Sequence, residues 1–163
     1  MNKKIVGRVS RSPMLAVVLV LALAGTAFAT VASNFTPALQ SRGTIDNTFH
    51  INTDGIKLET KGALDIVQAT VSIGAPGSSG WHKHPGIVLV TVVSGSLTVY
   101  DVNCHGTVQD AGSAFVESGD SQLVVRNEST TVPAMVRVTY LEPAGTPNSG
   151  LRIDEPNPGC PQT

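Results

Sequence analysis

The stretch Ser79-Gly80-Trp81-His82-Lys83-His84-Pro85-Gly86, running on into Ile87-Val88-Leu89-Val90-Thr91-Val92-Val93-Ser94-Gly95-Ser96-Leu97-Thr98-Val99-Tyr100, decides how this chain folds. It sets two histidines at i and i+2 ahead of two β-rich runs that part at Ser94-Gly95. Residues i and i+2 of a strand point to the same face. His82 and His84 can therefore enter one cavity together, while Trp81 and Lys83 face the other way. Imidazole is the commonest protein ligand of transition metals, so the pair is a candidate part of a divalent metal site. Trp81 is expected to pack rather than to stack on a ligand, and Lys83 to be solvated.

Outward from this stretch the chain reads as short strands separated by turn residues. Candidate strands are 48–52, 56–60, 64–73, 87–93, 96–102, 113–116, 122–126 and 134–141. Val67-Gln68-Ala69-Thr70-Val71-Ser72-Ile73 and Val136-Arg137-Val138-Thr139-Tyr140 alternate apolar and polar, the mark of a half-buried strand. Ile87 to Val93 is almost wholly apolar, which predicts a strand covered on both faces. Ser94-Gly95 reads as a hairpin turn, with further turns at Asp110-Ala111-Gly112 and Ser118-Gly119-Asp120. No segment after residue 32 carries a capped helical stripe. The pattern is that of an all-β sandwich or barrel spanning residues 49–142. Residues 30–48 are polar and irregular and read as a linker or arm. Residues 143–163, with five prolines, read as a surface tail lacking regular structure.

Both ends of the chain bear on its location. Lys3, Lys4, Arg8 and Arg11 form a basic segment, Met14 to Ala24 is apolar, and Ala27-Phe28-Ala29 is a small-x-small cleavage signal. Residues 1–29 therefore read as a secretory signal peptide. The alternative is an uncleaved membrane anchor reaching to about residue 32, because Pro13 to Ala32 is weakly apolar over close to the length that spans a bilayer. Either reading places the chain outside the cytoplasm, as a secreted or cell-envelope protein. All 12 acidic residues but only 7 of the 11 basic ones lie beyond residue 29. That acidic remainder, without a basic cluster, argues against nucleic-acid binding. Two cysteines, Cys104 and Cys160, enter an oxidising compartment and are expected to form one disulfide that ties the tail to the loop after Tyr100.

The histidine stretch resembles the first motif of the cupins, Gly-x5-His-x-His-x3,4-Glu-x6-Gly. Gly112 to Asn127 resembles their second motif, Gly-x5-Pro-x-Gly-x2-His-x3-Asn, through Gly112, Gly119 and Asn127. The resemblance covers roughly Val67 to Leu141. It implies a single jelly-roll barrel, the double-stranded β-helix of cupin or RmlC type, with a core cavity for a small molecule. It also implies a homodimer and a supporting role for Asn127.

The departures from the motifs matter as much as the matches. Val88 stands where the family has its glutamate ligand. Gln122 or Leu123 stands where it has its third histidine. These three positions are expected to line the cavity in place of ligands. Two imidazoles alone hold a divalent ion weakly, so a third ligand must come from elsewhere. Glu117 ranks first, ahead of His105 and His50, because it lies on the second-motif strand. Glu117 and Arg126 form either an ion pair in the barrel or separate surface charges. Two function classes follow: an exported barrel that binds a small ligand without chemistry, or a metal-dependent oxygenase or isomerase using His82 and His84. No nucleophile elbow, phosphate loop or Cys-x-x-Cys points to another chemistry.

Overall fold

Alternation builds the barrel. Along Leu64–Ser78, residues Asp65, Val67, Ala69, Val71 and Ile73 are buried and their neighbours are not. Ala134–Pro143 buries Ala134, Val136 and Val138 in the same rhythm. These two strands pair antiparallel over their whole shared length, with Val136 opposite Val71 and Val138 opposite Ala69, so their apolar faces form one wall. The computed structural model describes residues 28–161. In chain order the strands are Ser33–Ile45 (β1), His50–Thr53 (β2), Ile56–Glu59 (β3), Leu64–Ser78 (β4), His82–Lys83 (β5), Ile87–Ser94 (β6), Ser96–Asp101 (β7), Gly106–Asp110 (β8), Ala114–Ser118 (β9), Leu123–Asn127 (β10), Ala134–Pro143 (β11) and Ile153–Asp154 (β12). Among the described residues the one helical element is a 3₁₀ turn at Asn148–Gly150.

Ten strands share one sheet that folds over on itself into a nearly closed barrel. One face runs β1-β4-β11-β6-β9 and the other β8-β7-β10-β5-β12. β4 joins them: its first part pairs with β11, and its end, Gly77 and Ser78, pairs with Asn127 and Arg126 of β10. The bend passes through Gly77, where a Cβ would stand 2.6 Å from the Gly74 carbonyl oxygen. β2 and β3 form a separate small hairpin. The core is a valine-rich cluster from both faces, including Val71, Val88, Val92, Leu97, Val125 and Val136.

Four expectations are corrected. Residues 30–48 are not an irregular arm: β1 pairs with β4 from Ser33 to Ile45, with two irregularities in register. The strand was hidden because its apolar alternation, Phe35, Pro37 and Leu39, is short, passes through a proline and is surrounded by exposed polar residues. Ser94-Gly95 is not a hairpin. β6 pairs with β11 and β9, whereas β7 pairs with β10 and β8, so Gly95 carries the chain from one face to the other. Gly95 adopts φ +77°, and a Cβ there would meet Ala134 at 2.8 Å. β6 is covered on one side only: Val88, Val90 and Val92 are buried while Ile87, Leu89 and Val93 are each more than 40% exposed. The tail is also ordered in part. β12 pairs with β5, Leu151 is buried, and Cys160 is buried in its disulfide to Cys104.

That disulfide bears out the pairing expected from the two cysteines. It sits in a second small core with Trp81 and Val124, where Trp81 is fully buried in the packing role its strand position predicts. The segment preceding β1 is pinned here too. Ala29 bridges to Pro156, the Thr30 N–H donates to the Glu155 carbonyl, and the Trp81 N–H donates to the Thr30 hydroxyl at 2.6 Å. The basic and apolar parts of the signal or anchor reading, residues 1–27, lie outside the described residues.

Candidate functional site

The short strand β5 and the turn after it set the two histidines. His82 pairs opposite Leu123 of β10, and the His84 N–H donates to the Gly119 carbonyl at 3.3 Å. Both side chains are buried, and their rings meet edge-on with centroids 5.0 Å apart. Between them rises Glu117 of β9, itself 6% exposed. One carboxylate oxygen lies 2.9 Å from His84 Nε2 and 3.9 Å from His82 Nε2. The three donor atoms fall within 4.8 Å of one another, and they form such a cluster among the described residues.

Proton positions follow from the partners on the other side of each ring. His84 Nδ1 lies 2.6 Å from the Leu151 carbonyl oxygen, and His82 Nδ1 lies 2.9 Å from that of Gly80. A carbonyl oxygen only accepts, so each Nδ1 carries a hydrogen and each Nε2 of a neutral ring carries the lone pair. Both lone pairs then face the Glu117 carboxylate. His84 Nε2 is buried without an aligned hydrogen bond despite its 2.9 Å approach to the carboxylate. Three electron-rich atoms turned toward one point require either shared protons or a cation. Burial alone would push the Glu117 carboxyl up, but where a proton sits on Nε2 of His82 or His84 it is donated to the carboxylate, and these contacts outweigh burial and hold the pKa down at about 2. His84 is pushed down by burial and raised more strongly by Glu117 and by the Leu151 carbonyl, so its net pKa is raised.

The donor set fits a divalent transition metal. Two donors each about 2.1 Å from one ion stand no more than about 4.2 Å apart; the two nitrogen-to-oxygen separations lie inside that bound, and all three donor atoms lie within 4.8 Å of one another. Imidazole nitrogens whose other ring N–H is held by a backbone carbonyl are the usual form of such ligands. Two histidines with one carboxylate make the ligand set of non-haem iron sites, and the same donors suit zinc and other first-row ions.

Above the cluster opens a cavity of about 220 Å³, below the roughly 300–1,000 Å³ typical of sites for drug-sized ligands. Val71, Val90, Val125 and Phe115 make its apolar walls, and Phe35, Pro37 and Leu39 of β1 stand toward its exposed end. Tyr140 tilts over His84 with ring centroids 5.7 Å apart. Burial and then the nearby Glu117 charge push its phenol up to about 12. Leu151 and Arg152 of the tail complete the wall.

The sequence expectations divide here. Glu117 stands with His82 and His84, its carboxylate within 4.8 Å of their donor nitrogens, where the three could hold a metal ion. His105 and His50 do not; their side chains are 83% and 56% exposed, beside Asp101 and Glu59. Val88, Gln122 and Leu123 do not line the cavity. Val88 and Leu123 are enclosed in the apolar core, and the Gln122 amide donates to the Pro156 carbonyl in the tail. Arg126 pairs with Glu128 rather than Glu117. Lys83 is half-buried and bonded to Glu155 at 2.7 Å. Tyr140, Leu151 and Arg152 were missed. Tyr140 was legible, since it shares a face with Val136 and Val138 in the alternating run. The tail residues gave no local signal.

No protein-family model matches the chain, and no curated protein matches it. Solved structures do. The barrel is similar to cupins. A cupin-like protein from Thermotoga maritima matches at 11% identity and a TM-score of 0.49 over 56% of this chain and 65% of its own. A cupin domain from Bordetella pertussis matches at 16% identity and a TM-score of 0.46 over 71% and 98%. An oxalate oxidase matches at 20% identity and a TM-score of 0.45 over 54% of this chain. The match spans 45% of that enzyme's own chain.

Proposed function

We propose that this protein is an exported barrel of cupin type that holds one divalent transition-metal ion on His82, His84 and Glu117 and presents it to a small molecule in the cavity above. The observation that carries the reading is the pair of Nε2 atoms turned toward one buried carboxylate, each with its Nδ1 against a backbone carbonyl. A bound ion of this kind supplies Lewis-acid activation of water or of a substrate oxygen, or redox chemistry if it is iron or manganese. The chain's own groups do the rest. Gly80 and Leu151 fix the ring orientations. The apolar walls exclude bulk water from around the donors, which strengthens every charge interaction among them. The Tyr140 phenol stays protonated at neutral pH and offers an O–H to a bound molecule.

Export accounts for the disulfide in the described part of the chain and for the basic, apolar and small-x-small order of its first residues. Among the described residues no helix is long and apolar enough to cross a membrane.

The test is metal analysis of protein purified from an exporting host, with and without His82→Ala and His84→Ala. Near-stoichiometric metal in the wild type, lost in both variants, is the expected result. Wild-type protein that takes up no zinc, iron or manganese after dialysis against each, while remaining folded, overturns the metal reading. A barrel that binds small ligands without metal would then remain.

A further inference from the structure

Among the described residues Arg152 is the one guanidinium on the cavity wall, and it is only partly used. Its Nε donates to Asp154 at 2.6 Å, on the side where the Asp154 side chain is half exposed. Its Nη2 is buried and, among the described residues, has no hydrogen-bond partner. The guanidinium carbon stands 5.6 Å from the centre of the Phe35 ring, so the fork rests on an aromatic face. A buried N–H of a cation left without an acceptor is unfavourable. Here it is held in place by two contacts that do not satisfy it. Phe35, Leu151 and the valines make the apolar part of the same wall, while His82, His84, Glu117, Tyr140 and Asn148 supply other polar groups.

We infer that the cavity takes a small organic carboxylate, whose anionic group accepts from the Arg152 Nη2 and whose apolar body lies against Phe35 and the valine wall. This rests on the cavity being the ligand site proposed above, and not on the metal being bound. A planar guanidinium matches a carboxylate in shape and charge. A single such fork suits a monoanion such as a carboxylate. Fixed by Asp154 and Phe35, the fork keeps its direction before any ligand arrives, which limits the ordering cost of binding.

The test uses the disulfide-intact protein stripped of metal with a chelator, so that a carboxylate cannot score by binding an ion. Benzoate and its neutral isostere benzamide are titrated by calorimetry into wild type, Arg152→Gln and Arg152→Lys. Wild type should prefer benzoate by at least about tenfold, the loss expected when a charge-assisted hydrogen bond has no partner. Arg152→Gln should abolish that preference while leaving benzamide affinity unchanged, and Arg152→Lys should keep part of it. Equal affinities in the wild type, or no binding of either probe at millimolar concentration, overturn the inference without recourse to any variant. A preference that survives in a folded Arg152→Gln protein overturns it as well. Metal content is measured separately. A carboxylate preference in a protein that takes up no metal leaves this inference standing and removes the metal reading. Metal uptake without the preference does the reverse.

Discussion

Val88 and Glu117 stand directly opposite each other on the ladder between β6 and β9, and both are buried. Cross-strand partners present their side chains to the same face about 5 Å apart. The position at which the sequence lacks a carboxylate therefore faces, across one rung, the position that supplies one. In the proposed metal site the third donor therefore comes from the neighbouring strand.

This relationship makes a paired prediction. Glu117→Ala should lower metal affinity by more than the roughly 10–100-fold typical of changes behind the ligands. The exchange Val88→Glu with Glu117→Val returns a carboxylate to the same layer of the barrel and should recover part of that loss. Equilibrium dialysis with zinc, read against thermal midpoints, distinguishes the outcomes. An exchange variant that folds but binds no better than Glu117→Ala would show that the donor's strand, and not only its layer, is required.

The tail also serves the site. Leu151 gives its carbonyl to His84 Nδ1, and the chain beyond it is tied back through Cys160 to Cys104, 56 residues apart in sequence. Replacing both cysteines by serine should lower stability by up to about 4 kcal/mol from loop-closure entropy. It should also weaken metal binding, because His84 then loses part of its fixed orientation. Thermal denaturation and metal dialysis of the double variant check the two effects separately. Reduced stability with unaltered metal affinity would limit the tail to a structural role.

These cases mark what could be read from the chain. His82 and His84 announced a shared cavity, because strand geometry fixes where i and i+2 point. Val67 to Ile73 and Val136 to Tyr140 announced their strands, because each has one face in the core. β1 did not, since Phe35, Pro37 and Leu39 alternate over only a few residues and the proline and the polar residues around them read as irregular. The Ser94-Gly95 break was visible, but whether a turn returns to the same sheet or crosses to the other depends on pairing partners far along the chain. Leu151 and Arg152 reach the cavity through long-range contacts, among them β12, the disulfide and the bonds of Arg42 to Thr146 and Asn148, which no local pattern encodes.

Glu142 gives a pH prediction. It is fully buried on β11, neither carboxylate oxygen makes an aligned hydrogen bond, and burial pushes its pKa up to about 7. His84, the Gly86 N–H and Arg42 favour the ionised form but do not outweigh burial. Unfolded, the carboxyl releases its proton near its ordinary value of 4.5. Between that pH and about 7 the folded state holds the proton and the unfolded state does not, so this group makes stability fall as pH rises. Glu142→Gln should remove that slope and stabilise the protein at pH 8, by on the order of 2 kcal/mol, with little change at pH 4. Urea midpoints across pH 4–8 for both proteins test it. Parallel curves would show that Glu142 titrates normally in the folded state.

Asn127 holds the corner where the two faces of the barrel join. The two hydrogens of its amide nitrogen are shared among the carbonyls of Ile73, Gly74 and Val132, and its amide oxygen accepts from the Ser129 N–H. The side chain is 1% exposed, so removing it strands backbone carbonyls that water cannot readily reach. Asn127→Ala should cost about 3 kcal/mol, the sum of modest net bonds and of acceptors left unpaired. Asn127→Asp is the sharper test. It keeps the shape and the acceptor for Ser129 but turns a donor into a carboxylate aimed at three carbonyl oxygens, so it should destabilise at least as much as alanine at pH 7. Lowering the pH protonates the new carboxyl and restores one donor, so the Asp variant should recover relative to alanine toward pH 4. Denaturation curves for the two variants at both pH values decide the matter. An aspartate variant as stable as wild type at pH 7 would mean that the three donated bonds contribute nothing to holding the corner.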